Sequence, residues 1–332
     1  MRQSLKAGFL SCAIFICLTL LLFGYQAIVD LSPTEPTASN PTQSSTTQSE
    51  SSSSVPDAPS IPDPPSFTLQ SSYAFVYDSV SGQLLYHVGN MDKQLAPASL
   101  TKLFTAYAAL QILLPDTVIT VGDEVNLIVP GSSIAHVDKG YQLTVEECIE
   151  GMLLQSGNDT SYILAVAAGR EIQKNPSLSA KTAVSIFMNY VNLKLEEWGL
   201  KNTHFVNPDG IDAAGHYSTM QDMLAMSMIV LKTPLLAKYC AMAKDRVTLA
   251  GGQVLEWKNT NELLNPSSNY YRENACGLKT GTTTNAGNCL LSAFSYNGGY
   301  LIIGTLGSAD KNGRYDDTLL LYDYYSIHLD KA

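Results

Sequence analysis

Apolar residues run almost unbroken from Gly8 to Val29, disappear between Leu31 and Ser66, and return from Phe67 onward with the periods of strands and helices. The first stretch follows Arg2 and Lys6 and is interrupted by Ser11, Thr19, Tyr25 and Gln26. This is the outline of a single membrane-spanning anchor whose basic end stays inside, leaving the rest outside the membrane. A secretory signal has a similar outline, but Tyr25 two places before Ala27 makes a poor cleavage site. An uncleaved anchor is therefore expected, with secretion after cleavage as the alternative. Leu31 to Ser66 is Ser, Thr and Pro with almost no large apolar side chain. Such a segment cannot bury enough surface to offset its chain entropy, which predicts a disordered linker. At about 3.1 Å per residue in polyproline form it would reach on the order of 100 Å.

Beyond the linker, YAFVYD (Tyr73 to Asp78) and QLLYHV (Gln83 to Val88) are strand-like, and SVSG between them supplies the turn of a hairpin. TVEECIEGMLL opens on Thr144 with Glu147 three residues on, a capping box. SAKTAVSIFMNYVNLKLEEWG has helical periodicity and stops at Gly199. GNCLLSAFSY and YLIIGTLG flank Asn-Gly-Gly, the strongest hairpin signal in the chain, and RYDDTLLLYDYYSIHL closes it as a helix. Strands at both ends with helices between them predict an α+β domain, an antiparallel sheet built from both chain ends with a central helical cluster. The predicted organisation is an anchor over 1–30, a linker over 31–66 and one folded domain over 67–332.

Composition narrows the function. The 332 residues are 45% hydrophobic and 15% charged, enough to build a sizeable core. A formal net charge of −10 argues against a general nucleic-acid binder, which needs a basic stripe to neutralise phosphates.

Candidate chemistry begins at PASLTKLF. Ser99 and Lys102 stand three apart at a helix start, so their side chains can touch. The first turn of a helix favours developing negative charge. Lys102 can take the serine's proton if burial lowers its pKa, and Leu100, Leu103, Phe104 and Tyr107 supply apolar surroundings. Alone, the pair reads equally well as a surface lysine one turn from an N-terminal serine. LLQSGNDTS places Ser156, Gly157 and Asn158 between two helices, where Asp159 or Thr160 would serve as a plain N-cap. CGLKTGTTTNAGNC places Lys279, Thr280 and Gly281 on a strand before a turn, where a solvated lysine is the plain reading. The order S-x-x-K, S-x-N, K-T-G matches the active-site set of β-lactamases and penicillin-binding proteins.

With these motifs the chain resembles the D-alanyl-D-alanine carboxypeptidases, the low-molecular-mass penicillin-binding proteins. The likeness runs from about Ser71 to Gly307 and includes GLKNTHFVNPDGIDAAGHYST, Gly199 to Thr219, which carries no catalytic motif of its own. The resemblance implies a β-lactamase/penicillin-binding-protein-like fold. It implies a serine peptidase that removes the terminal D-alanine from peptidoglycan stem peptides, is acylated by β-lactam antibiotics, and needs no metal or other cofactor. Carried over, Ser99 is the nucleophile, Lys102 its base, Ser156 a proton relay to the leaving amine, and Asn158 the residue that orients Lys102 and binds the substrate amide. Lys279, Thr280 and Thr282 would take the substrate's terminal carboxylate, with Gly281 completing that strand. Backbone N–H groups of Ser99 and Thr282 would form the oxyanion hole.

Many members add a β-rich domain and an amphipathic tail. Here the chain ends about fifty residues after Gly281, so the N-terminal segment is expected to serve as the anchor on the bacterial cell membrane. Thr282 stands where an aromatic residue or His is common. Alternatives within the resemblance are a transpeptidase or endopeptidase, a β-lactamase, and a non-turnover penicillin sensor. The β-lactamase reading lacks an E-x-x-L-N segment and meets S-G-N in place of S-D-N. Cys276 and Cys289 flank the K-T-G hairpin and could bond across it or remain free thiols. The five histidines show no metal-binding spacing.

Overall fold

The computed structural model describes residues 64–329. These lie in the second of two units, Met1–Asp57 and Ala58–Ala332. The anchor and most of the linker expected from the sequence fall outside the described residues.

Both ends of the described domain form one antiparallel sheet. β1 (Tyr73–Asp78) and β2 (Gln83–Val88) make the first hairpin, and β7 (Ala275–Thr283), β8 (Gly287–Tyr296) and β9 (Gly299–Ser308) return after the helices, in the order β2-β1-β9-β8-β7. β1 pairs with β9, so the first and last strands of the domain meet within the sheet, as the sequence predicts. The β8–β9 turn puts Asn297 and Gly298 at φ +46° and +76°, the positive values that a tight hairpin turn requires and that Asn-Gly tolerates.

Alternation along the strands divides the core in two. Ala74, Val76, Leu290, Phe294, Leu301 and Ile303 pack beneath the C-terminal helix α7 (Gly313–Leu329) with Tyr315, Leu321 and Tyr325. Phe75, Leu278, Leu291, Ala293 and Ile302 face the opposite way, into the helical cluster. Strands covered on both faces bury nearly every residue, so β8 and β9 are apolar runs with little polar alternation.

The helical cluster holds α1 (Thr101–Leu110), α2 (Val145–Leu154), α3 (Asn158–Ile172), α4 (Ala180–Glu197), α5 (Met220–Leu231) and α6 (Pro234–Ala241). Two short hairpins, β3 (Val118–Thr120) with β4 (Gln142–Thr144) and β5 (Lys244–Thr248) with β6 (Val254–Lys258), lie outside the main sheet. α2 starts with the predicted capping box, Thr144 Oγ1 accepting from Glu147 N at 3.1 Å and Glu147 Oε2 from Thr144 N at 2.7 Å. Ser179 caps α4, and Gly199 ends it at φ +79°.

The β7–β8 register bears on the alternatives left open for Cys276 and Cys289. Cys289 lies opposite Gly281, five residues beyond Cys276, and both thiols are free. They point to different carbonyls, Cys276 to Asn274 and Cys289 to Ala286. No single helix among the described residues is long and apolar enough to cross a membrane. α5 and α6 pass that test together but meet at a 101° bend.

Candidate active site

Ser99 sits in a tight 3-10 turn, Ala98–Leu100, that runs into α1, one step short of the α-helical start the sequence predicts. The turn is entered through Ala98 at φ +49°, a left-handed conformation that costs a non-glycine residue about 1–3 kcal/mol and persists where its surroundings enforce it. Ser99 is half-buried; Lys102 below it has no exposed surface. Lys102 Nζ lies 3.0 Å from Ser99 Oγ and 2.6 Å from the carbonyl oxygen of Asp209. Burial pulls the Lys102 pKa from 10.5 to about 8, against the opposing pull of the Asp209 and Asp159 carboxylates. The free-base fraction at neutral pH rises roughly three-hundredfold over an ordinary lysine. As a neutral amine Lys102 keeps a donor for Asp209 O and turns a lone pair to the serine hydroxyl.

Ser156 and Asn158 are buried at the break between α2 and α3, and α3 packs on α1. Ser156 has φ +59°, the second non-glycine left-handed residue at this site. Gly157 is the N-cap of α3, with no side-chain cap. Asp159 instead turns inward to accept from Ala135 N at 2.8 Å and Val137 N at 3.1 Å, fastening the 129–137 loop over the break. Asn158 makes no hydrogen bond to Lys102. In this structure the backbone group that holds the lysine is the Asp209 carbonyl.

β7 is an edge strand of the sheet and carries the K-T-G residues against the Ser99 turn. Gly281 makes this approach possible: a Cβ there would lie 3.0 Å from Ala98 Cβ and 3.1 Å from Ser99 N. Lys279 is buried, and its amine donates to Thr280 O at 3.1 Å. Burial and the neighbouring Lys102 charge hold its pKa well below the ordinary lysine value. The hydroxyls of Thr280 and Thr260 lie 2.6 Å apart, and two hydroxyls sharing one proton leave one O–H to donate onward. Thr282 donates to Asn288 Oδ1 at 3.1 Å, so its hydroxyl proton is already committed.

Two parts of the site escaped the motif analysis. The first is Arg314, reaching from α7 through the sheet edge. Its Nη1 donates to Gly281 O and Thr282 Oγ1 at 3.2 Å and to Cys289 O at 3.3 Å. Among the described residues, no carboxylate forms an ion pair with Lys102, Lys279 or Arg314. Asp209 and Asp159 act on Lys102 from beyond ion-pair distance, while Lys279 and Arg314 have no carboxylate in ion-pair contact among these residues.

The second is the Asn207–His216 loop, within the stretch for which the sequence offered resemblance alone. Its Asp209 and Pro208 carbonyls accept from Lys102 and from Thr105 Oγ1 (2.7 Å). Gly210, at φ +89°, lies so close that a Cβ would stand 1.9 Å from Ala98 O. Asp212 accepts from Thr283 Oγ1 at 2.7 Å and Asn285 N at 2.9 Å, and so grips the β7–β8 turn. One loop therefore braces both the Ser99 turn and the K-T-G strand. The Asn-Pro-Asp-Gly turn signal marks where it bends, with Asn207 Oδ1 accepting from Gly210 N at 2.8 Å. Among the described residues no group of three His, Cys, Asp or Glu side chains is placed to hold a metal ion.

The model of the family described as D-alanyl-D-alanine carboxypeptidase matches residues 58–310. D-alanyl-D-alanine carboxypeptidase DacF of Bacillus subtilis is 30% identical over 66% of this chain and 53% of its own length. DacC of Escherichia coli, of the same description, is 31% identical over 73% of this chain and 57% of its own. The chain thus spans a little over half the length of the curated relatives it matches. The Streptomyces K15 DD-transpeptidase structure superposes with a TM-score of 0.69 at 27% identity, over 77% of this chain and 97% of that one. Penicillin-binding protein D2 from Listeria monocytogenes, in its cefotaxime-bound form, gives 0.64 at 26% identity, over 78% and 98%. The fold is the one these structural neighbours share.

Proposed function

The chain belongs to the D-alanyl-D-alanine carboxypeptidase family, and from that premise we propose that its domain removes the terminal D-alanine from peptidoglycan stem pentapeptides through an acyl-enzyme on Ser99. The observation that carries this reading is the buried Lys102 amine 3.0 Å from the Ser99 hydroxyl, its pKa drawn down to about 8. Ser99 Oγ attacks the carbonyl carbon of the last peptide bond as its proton passes to Lys102 Nζ. The carbonyl oxygen becomes an oxyanion facing the Ser99 and Thr282 N–H groups, an arrangement that can lower a barrier by a few kcal/mol. The peptide bond breaks, the D-alanine amine leaves with a proton relayed through Ser156, and an ester to Ser99 remains. Water then attacks that ester and restores the hydroxyl. Asn158 holds the substrate amide.

Recognition of the leaving residue follows from the unpaired cations. A free C-terminal carboxylate meets the Lys279 amine, the spare Thr280–Thr260 proton and the Arg314 guanidinium, and its arrival restores the charge that burial discourages on Lys279. β7 has an open edge along which an extended peptide can align. A β-lactam presents a carboxylate and a strained amide in the same relation, so it acylates Ser99 as well.

The transpeptidase reading differs in the acceptor, an amine in place of water. The DD-transpeptidase among the structural neighbours favours keeping it as the second reading. Incubation of the purified protein with a pentapeptide ending in D-Ala-D-Ala, with and without an amino-acid acceptor, separates the two by mass spectrometry. Loss of one alanine in both reactions is the expected result. Product formed solely with the acceptor would favour transpeptidation, and no product in either would overturn the proposal.

A further inference from the structure

The left-handed turn at Ala98 needs something to hold it, and the hydrogen bonds behind it trace a chain to a buried histidine. Thr101 Oγ1 donates its one proton to Ala98 O at 2.9 Å. Its other contact, His216 Nε2 at 3.0 Å, must therefore be a donor. On the far side of the ring, His216 Nδ1 accepts the Val206 N–H at 3.2 Å. The imidazole is thus the neutral Nε2–H tautomer. The relay runs from Val206 N–H through the ring and the Thr101 hydroxyl to the Ala98 carbonyl, every donor facing an acceptor. His216 is buried against the Phe205 ring, with centroids 5.0 Å apart, at the end of the loop that braces the site.

We propose that His216 is a positioning residue for the nucleophile: through Thr101 it fixes the Ala98 carbonyl, and so the turn that presents Ser99 to Lys102. This rests on the reading of Ser99 as the nucleophile. A protonated ring would set a new N–H against the Val206 N–H and break the relay. The charged and titratable groups facing His216 are His204 and Asp212 on its own segment and Lys102 on α1. Burial first, and then the His204 and Lys102 charges, hold its pKa down to about 4, while Asp212 opposes them. The ring stays neutral throughout the range in which Lys102 can act as a base.

The test is stopped-flow acylation of the full chain by a fluorescent penicillin, resolved into a binding constant and an acylation rate, with the adduct mapped by peptide mass. His216→Phe keeps the ring volume and removes the donor. Its acylation rate is expected to fall about tenfold or more with little change in the binding constant, the mark of lost orientation. His216→Gln places an amide N–H near the old Nε2 and is expected to recover most of the rate. Should the phenylalanine variant fail to fold, Thr101→Val against Thr101→Ser reads the same relay, the serine keeping the rate and the valine losing it. An unchanged acylation rate in His216→Phe, or equal losses in the Phe and Gln variants, would overturn the positioning role while Ser99 still carries the label. A label on another residue in the unaltered protein would overturn the nucleophile reading itself, and the positioning role with it.

Discussion

Lys102 concentrates the chemistry of the site because burial sets two of its properties at once. It removes the ammonium from water, which lowers the pKa, and it fixes the amine between Ser99 Oγ and Asp209 O. The expected pH dependence follows from the sign of that shift. The base must be unprotonated, so acylation should rise about tenfold per pH unit up to about pH 8 and then level off. Rapid-mixing acylation kinetics across pH would measure it, and a flat profile through this range would remove Lys102 as the base. Lys102→Arg should acylate on the order of 10²–10⁴ times more slowly, because a guanidinium is effectively never deprotonated. Lys279 is tested by its ligand. Lys279→Ala should slow cleavage of a free-acid peptide about ten- to a hundredfold and leave its already poor amidated twin nearly unchanged. Equal losses on both substrates would assign Lys279 to structure or proton transfer.

Among the elements, those with a period were legible in the sequence and those made of backbone contacts were not. The hairpin strands, the capped α2, α4 and the closing helix follow their apolar spacing and caps closely. The three motifs mark Ser99, Lys102, Ser156, Asn158 and Lys279 as candidates, because hydroxyl, amine and amide are side-chain properties that sequence displays. The loop from Asn207 to His216 acts largely through the Pro208 and Asp209 carbonyls and the bare Cα of Gly210. Almost any residue could supply such carbonyls, so no residue type advertises them. Arg314 was hidden for another reason: it belongs to α7 and reaches Gly281 through the sheet, a contact that exists after the strands are ordered. The Asp212 grip on the β7–β8 turn is the element-level claim most open to test. Asp212→Ala leaves Thr283 Oγ1 and Asn285 N without their acceptor. Amide exchange across 283–287 should quicken and D-alanine release should fall by about tenfold, in keeping with hydrogen bonds to a charged group of about 1.5–3 kcal/mol. Unchanged exchange in that turn would show that the grip contributes nothing.

At the scale of the described domain, the sheet joins its first and last strands and supplies the K-T-G residues from its edge, while the helical cluster and the turns that lead into it supply Ser99, Lys102, Ser156 and Asn158. A site divided between two layers explains why one loop must brace both. The N-terminal apolar segment adds an expectation about place. The native protein should sediment with membranes and resist alkaline extraction, and a mature N-terminus beginning after Ala27 would show instead that the segment is removed.

The central claim is that Ser99 forms a covalent acyl-enzyme, and its most direct test is intact-mass and peptide-mass analysis after brief exposure to benzylpenicillin. One adduct per molecule, located on the peptide that contains Ser99 and absent from Ser99→Ala, is the predicted result. Full labelling of the Ser99→Ala protein, or an adduct on any other residue, would contradict it.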